Sequence, residues 1–128
     1  MGQPIYFDYA ATTPVRPEAR EALLRALDGF GNPSSRYGFG REAALRVKAD
    51  RETVAAALGC APGEVIFTSC GTEGDNWALR RGAERNRRRG RHIVTTAIEH
   101  AAVLETCKDL EGEGWEITRL KPDRGGRI

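Results

Sequence analysis

The alternation of strand and helix patterns in the second half of the chain most constrains its fold. Residues 64–68, 92–96 and 115–120 read as short strands, and segments with helical spacing at about 71–88 and 99–111 separate them. Alternation at this spacing is typical of α/β domains, in which helices connect the strands of a largely parallel sheet. The sequence therefore predicts an α/β fold, with a mostly parallel sheet and flanking helices.

The first half of the chain predicts two helices and a loop. Apolar residues at helical spacing indicate a helix over 17–28, which Pro17 opens because its fixed φ suits the first turn. Residues 29–40 hold four glycines and one proline and predict a long loop, whose aromatic and serine residues make a binding role reasonable. A second helix is expected from about 41 to 58, ending at Gly59. One face of it carries Ala44, Val47, Val54, Ala55 and Leu58.

The turn between the predicted strand 64–68 and the following helix is a candidate anion site. The first N–H groups of a helix lack intrahelical partners, and the positive end of the helix dipole attracts phosphate. Gly71 lets an anion approach the backbone, and Thr72 adds a hydroxyl donor. Many strand–helix turns of this kind bind nothing, so the turn alone leaves both interpretations open.

His100 lies in a second candidate segment, residues 97–100, just beyond the predicted strand 92–96. Ligand crevices in open α/β sheets form at the carboxyl ends of the strands, where this segment and the turn at 69–72 are both expected. A histidine at the start of a helix can also be hydrogen-bonded and inert. The other histidine, His92, is interpreted as structural or solvent-exposed.

Composition indicates an ordinary globular chain of 128 residues, with 40% hydrophobic and 30% charged residues and a net charge of +2. No apolar run approaches the roughly 20 residues that cross a membrane, and residues 1–4 do not begin a secretory signal. Cys60, Cys70 and Cys107 are odd in number and lack metal-like spacing, which predicts no metal site, no structural disulfide and a cytoplasmic location. We interpret Cys60 and Cys107 as small buried residues.

Seven arginines crowd into residues 80–91. Cations at the C-terminal end of a helix complement its dipole, so a solvated helix end is the favoured interpretation. A nucleic-acid surface is the alternative, although the aromatic residues expected of a single-strand binding surface are not interleaved with these arginines.

Four sequence blocks together resemble the cysteine desulfurases, which are pyridoxal-phosphate enzymes of the class V aminotransferase group. They are residues 5–14 (Ile-Tyr-Phe-Asp-Tyr-Ala-Ala-Thr-Thr-Pro), 30–35 (Phe-Gly-Asn-Pro-Ser-Ser), 69–76 (Ser-Cys-Gly-Thr-Glu-Gly-Asp-Asn) and 93–104. The Ser-Cys-Gly-Thr-Glu loop is most similar to that of the NifS-type members. The resemblance implies the type I pyridoxal-phosphate fold and covers the family's first third, so the chain is expected to be a truncated part of the large domain.

The resemblance also assigns roles to residues. It implies that Gly71 and Thr72 contact the cofactor phosphate, that His100 stacks on the cofactor ring and assists proton transfer, and that Asn32 lies near the substrate. Residues 1–15 are expected near the substrate entrance, and residues 16–128 form the N-terminal part of the cofactor-binding large domain. Cys70 is not expected to be the sulfur-accepting cysteine, because the family's lies far downstream.

The implied activity is the removal of sulfur from L-cysteine, giving alanine and an enzyme persulfide for iron–sulfur cluster assembly. The implied partners are a sulfur-acceptor or iron–sulfur scaffold protein and, in complete relatives, a second copy of the chain. The family's cofactor-binding lysine lies in a downstream block that none of Lys48, Lys108 and Lys121 matches. The 128 residues alone are therefore expected to be inactive. The alternative is a truncated or split-protein binding module that needs a second chain.

Overall fold

A computed structural model describes residues 5–128, so the predicted lack of a signal in residues 1–4 lies outside the described residues. The chain divides into two compact units, and the boundary falls between Val65 and Ile66. Within the described range, no helix is both long and apolar enough to span a bilayer.

The first unit contains the two helices that the sequence predicts. Helix α1 spans Pro17–Leu27, helix α2 spans Gly38–Leu58, and a short 3-10 helix follows at Pro62–Glu64. Helix α2 begins inside the segment predicted as a loop. It ends where expected, because Gly59 adopts a left-handed conformation with φ of 69° that terminates the helix.

Gly40 explains why α2 can begin early. A Cβ atom at this position would lie 2.5 Å from the carbonyl oxygen of Ser35 and 2.7 Å from that of Asn32. Only glycine allows this close approach, so the first turn of α2 packs directly on the backbone of residues 32–35. The apolar face predicted for α2 is only partly covered: Ala55 is buried and Ala44 and Val54 are half-buried, but Leu58 is 71% exposed.

The second unit alternates helix and strand. Helix α3 spans Gly71–Asn86, strand β1 His92–Thr96, helix α4 Ala101–Gly112 and strand β2 Glu116–Leu120. The two strands pair in parallel, with His92 opposite Glu116 and Thr96 opposite Leu120. The predicted parallel α/β arrangement is confirmed in this unit.

The predicted strand over 64–68 is wrong. Glu64 ends the 3-10 helix, and residues 65–68 lie outside the sheet, which comprises only β1 and β2 in the described part of the chain. A β-branched run indicates an extended backbone, but a strand also requires a ladder with a neighbouring strand.

Helix α4 supplies most of the buried side chains of the second unit. Cys107 is fully buried, Leu110 is 2% exposed, and the hydroxyl of buried Thr106 donates to the carbonyl oxygen of Ala102 at 2.7 Å. Ala83 is the buried residue of α3. Helix α4 therefore forms most of the core of the second unit, where it packs on α3 and β2. The prediction of burial is confirmed for Cys107, whereas Cys60 is only half-buried.

Candidate functional site

The turn at residues 68–72 leads directly into α3. Cys70 is the N-cap residue, and its extended backbone makes no side-chain capping hydrogen bond. No atom of the described residues other than its own helix and chain neighbours lies within 4 Å of the position where a Cβ atom on Gly71 would stand, and Thr72 is exposed. The start of α3 thus combines the positive end of a helix dipole, open space beside the backbone and an accessible hydroxyl, which together suit a phosphate group.

Glu73 organises this turn. Its carboxylate accepts hydrogen bonds from the backbone N–H of Ser69 at 2.6 Å and from the Ser69 hydroxyl at 2.7 Å. These hydrogen bonds, the one from the backbone first, lower the pKa of Glu73 below the ordinary carboxyl value. This role of Glu73 was not predicted from the sequence, although an acidic residue in the first turn of a helix, three positions after the N-cap, is a known capping signal.

Cys70 is exposed at the same turn. The thiol of Cys70 makes no capping hydrogen bond, but a thiolate at this position is stabilised by the nearby backbone N–H of Glu73 and, secondarily, by the Ser69 hydroxyl, which lowers the pKa of the Cys70 thiol from its usual value. A lowered pKa and an exposed position both favour reaction of this thiol. That Cys70 is not the sulfur-accepting cysteine stays a prediction.

His100 is the N-cap residue of α4. Its Nδ1 atom accepts a hydrogen bond from the backbone N–H of Ala102 at 3.1 Å. An accepting Nδ1 carries no proton, so in the neutral imidazole the proton sits on Nε2. The ring is exposed, which leaves its face and Nε2 accessible to a ligand. His92, in contrast, is exposed on β1 and its Nε2 contacts the hydroxyl of Thr118 at 2.7 Å, as a structural interpretation predicts.

The packing of α3 on α4 places the two helix starts at one end of the second unit. Arg80, in the second half of α3, pairs with Asp109 at 2.6 Å and with Glu113 at 2.8 Å, both at the C-terminal end of α4. Arg87, at the end of α3, also lines one cavity with Glu113, at the end of α4, so the C-terminal ends of the two helices lie together and the helices run in the same direction. Because α4 connects two parallel strands, both helices start at the carboxyl end of the sheet. Gly71, Thr72 and His100 therefore share that end of the unit.

Asn32 belongs to the first unit and is described there alone. It is exposed, its side-chain Oδ1 accepts from the N–H of Ser34 at 2.9 Å, and its backbone oxygen accepts from the N–H of Ser35 at 2.9 Å. These contacts shape a tight turn at Asn-Pro-Ser-Ser. The proximity of Asn32 to the substrate stays a prediction.

The arginines of residues 80–91 lie on the second half of α3 and on the turn that follows it. Arg80 and Arg81 form ion pairs, the latter with Glu84 at 2.7 Å. Within the described range the remaining five form none, and all are exposed: Arg85, Arg87, Arg88, Arg89 and Arg91. Much of the arginine charge is thus available at the surface.

Comparisons with known proteins extend these observations. The profile of the family described as aminotransferase class-V matches residues 5–128. A curated cysteine desulfurase IscS from Methanosarcina thermophila is 48% identical over 125 residues, covering 97% of this chain and 31% of that protein.

Solved structures agree with that match. A NifS-like protein superposes with a TM-score of 0.84 at 44% identity, covering 92% of this chain and 33% of that one. SspA in complex with cysteine superposes with a TM-score of 0.82 at 38% identity, covering 92% of this chain and 34% of that one. The chain spans about a third of the length of the relatives it matches. The resemblance predicted from the four sequence blocks is confirmed.

Proposed function

Because this chain belongs to the class V aminotransferase family, we propose that it works as the N-terminal portion of a cysteine desulfurase. The enzymes of this family depend on pyridoxal 5′-phosphate. The observation that carries the proposal is the start of α3, where Gly71 and Thr72 offer an uncapped helix terminus, open space and a free hydroxyl. A phosphate group fits these features, and the family supplies one in its cofactor.

In the proposed site, each residue has a defined task. The backbone N–H groups at Gly71 and Thr72 hold the cofactor phosphate, and the Thr72 hydroxyl donates a further hydrogen bond to it. Glu73 holds Ser69 and thereby the shape of the turn. When bound, the cofactor supplies an electron sink for bond cleavage next to the amino group of an amino acid.

His100 stacks on the cofactor ring in this proposal. Its Nδ1 is held by the N–H of Ala102, which fixes the orientation of the imidazole. Only Nε2 is then available to deliver a proton to a bound ligand or to accept one from it. The N-cap contact therefore serves two purposes: it gives the N–H of Ala102 a hydrogen-bond partner, and it selects the tautomer that carries its proton on Nε2.

The remaining features of the proposal concern the reaction and its setting. We infer that the substrate is L-cysteine, in keeping with the cysteine present in the SspA structure, and that the products are alanine and an enzyme persulfide for iron–sulfur cluster assembly. We further propose that Asn32 lies near the substrate and that residues 5–15 lie near the substrate entrance; the part of the predicted segment 1–15 that precedes Ile5 lies outside the described residues. Residues 16–128 are proposed to form the N-terminal part of the large cofactor domain, with a second copy and a sulfur acceptor as the partners. The three free cysteines are compatible with the cytoplasm.

A pair of glycine substitutions tests the phosphate site on the full 128-residue chain. Gly71 and Gly82 both lie in α3, and within residues 5–128 a Cβ atom at either position would meet no neighbouring atom within 4 Å. Alanine at either position is therefore compatible with the helix. At Gly71, however, the added methyl group occupies the space in which the phosphate is proposed to sit. We expect Gly71→Ala to weaken binding and Gly82→Ala to leave it unchanged.

The ligand for this test is pyridoxamine 5′-phosphate, which cannot form a Schiff base with a lysine and so reports only the noncovalent contacts. Calorimetry compares it with pyridoxamine, which lacks the phosphate. We expect Thr72→Val to weaken binding about tenfold, the typical effect of losing a hydrogen bond to a charged group. Equal affinities for the two ligands, or for Gly71→Ala and Gly82→Ala, would refute the phosphate site.

The ring contact has its own variant. His100→Asn retains a side-chain acceptor for the helix cap but removes the imidazole ring. We expect unchanged helix content by circular dichroism and weaker binding of pyridoxamine 5′-phosphate. Equal binding by the variant would exclude a stacking role for His100.

Catalysis is tested separately. With added pyridoxal 5′-phosphate and L-cysteine, we expect no sulfide from the 128 residues alone, because none of the three lysines matches the family's cofactor-binding block. Sulfide release would contradict this expectation. Restoration of activity by a second polypeptide that carries the lysine block would favour the split-protein alternative.

A further inference from the structure

A basic cavity lies at the C-terminal ends of α3 and α4, away from the proposed cofactor site. It has a volume of about 380 Å³, and its charged and aromatic lining consists of Arg80, Glu84, Arg87, Arg91, Glu113 and Trp115. Buried Ala83 and Leu110 form its apolar part. A cavity of this size is in the range of small-molecule sites.

The charges that line the basic cavity do not cancel. Arg80 pairs with Glu113 at 2.8 Å, and Glu84 pairs with Arg81 at 2.7 Å, so both carboxylates have cationic partners. Arg87 and Arg91 form no ion pair with any residue between 5 and 128. Among the described residues, Arg87 and Arg91 thus line the cavity without an ion-pair partner, and its lining has a net positive charge because it holds three arginines and two glutamates.

The lining selects a particular ligand chemistry. A guanidinium group binds the oxygens of a phosphate bidentately, and two such groups match the charge of a phosphate monoester. Trp115 is half-buried and offers an aromatic wall, while Ala83 and Leu110 offer no polar partner. Inorganic phosphate alone would leave most of the volume unfilled. The ligand therefore needs an apolar body in addition to the phosphate.

We propose that the basic cavity binds the phosphate monoester of a small molecule with an apolar or aromatic body. This site is separate from the cofactor site, because α3 has 16 residues and spans about 24 Å between its start at Gly71 and its end beside Arg87. Binding at this site would give Arg87 and Arg91 a specific function, whereas the interpretation as a solvated helix end gives them none.

The fluorescence of Trp115 reports binding directly. The chain contains two tryptophans, and Trp77→Phe leaves Trp115 as the only one. Phenyl phosphate is the probe, added to the full 128-residue chain that carries Trp77→Phe. We expect a saturable fluorescence change, which inorganic phosphate reverses by competition and which phenol does not produce.

Charge-matched variants distinguish a built site from general attraction to a basic surface. In the same background, we expect Arg87→Gln and Arg91→Gln each to weaken phenyl phosphate binding about tenfold or more. Arg88→Gln removes the same charge from the same run, but Arg88 does not line the cavity, and we expect a change of no more than about twofold. Thr72→Val changes the proposed cofactor site and not the basic cavity, so it should leave phenyl phosphate binding unchanged. The two proposals can therefore fail independently of each other.

Two results would overturn the proposal. One is a linear, unsaturated response to phenyl phosphate through millimolar concentrations. The other is an equal loss of affinity in Arg88→Gln and Arg87→Gln, which would show that the arginines act only as a diffuse positive field.

Discussion

The three cysteines provide a direct test of the second unit and of the turn at the start of α3. Cys70 is exposed and Cys107 is fully buried, so a thiol reagent such as iodoacetamide should separate them sharply. The pKa of the Cys70 thiol is lowered by the backbone N–H of Glu73, whereas burial raises the pKa of the Cys107 thiol. Both exposure and thiolate population therefore favour modification of Cys70.

The size of the difference in alkylation rate follows from the need to open the core around Cys107 before its thiol can react. An ordinary thiol with a pKa of about 8.5 is roughly 3% thiolate at pH 7, and Cys70 exceeds that fraction because its pKa is lowered. Cys107 reacts only from an opened state. An opening free energy of about 5 kcal/mol populates that state to roughly 2 parts in 10,000. We therefore expect Cys70 to react at least about a thousandfold faster than Cys107.

The assay is time-resolved alkylation, followed by digestion and mass spectrometry of the peptides that contain each cysteine. Urea at a denaturing concentration supplies the control, since all three thiols should then react at similar rates. Saturating pyridoxamine 5′-phosphate should slow the reaction at Cys70, which adjoins the proposed phosphate site. Native-state alkylation of Cys107 at a rate close to that of Cys70 would refute the buried position of α4.

Three further perturbations test particular contacts. Leu110→Ala should destabilise the second unit by about 2–5 kcal/mol, as truncation of a buried leucine does, and urea unfolding followed by tryptophan fluorescence measures this because both tryptophans lie in that unit. Glu73 has a lowered pKa, so its hydrogen bonds to Ser69 contribute stability above the ordinary carboxyl pKa, and that contribution is lost as pH falls through the folded value. The stability difference between the wild type and Glu73→Gln should thus be largest above about pH 5 and shrink in more acidic solution; a constant difference would contradict the contact. Gly40→Ala should reduce helix content by circular dichroism, because its Cβ atom would meet the carbonyl oxygen of Ser35 at 2.5 Å; an unchanged spectrum and melting temperature would exclude that close approach.

Local signals predicted most of the helices and strands. Pro17 opens α1 because its ring fixes φ at a helical value. Gly59 ends α2 because glycine can adopt the left-handed conformation that terminates a helix. Strand β1 coincides with the predicted strand 92–96, since its β-branched residues favour an extended backbone. The glycine-containing turn before α3 was also predicted, because a helix start is defined by the few residues around it.

The sequence by itself thus determined the order of most elements, the type of candidate anion site and the family resemblance carried by four short blocks. Only the tertiary structure decided which residues meet across elements. It excluded residues 65–68 from the sheet, paired Arg80 of α3 with Asp109 and Glu113 at the end of α4, and, among the described residues, left Arg87 and Arg91 without ion pairs beside Trp115. The physical reason is that these contacts join residues whose spacing along the chain has no fixed relation to their distance in space. A turn or a cap depends on a few adjacent dihedral angles, whereas a ladder, an ion pair or a cavity depends on how whole helices and strands pack.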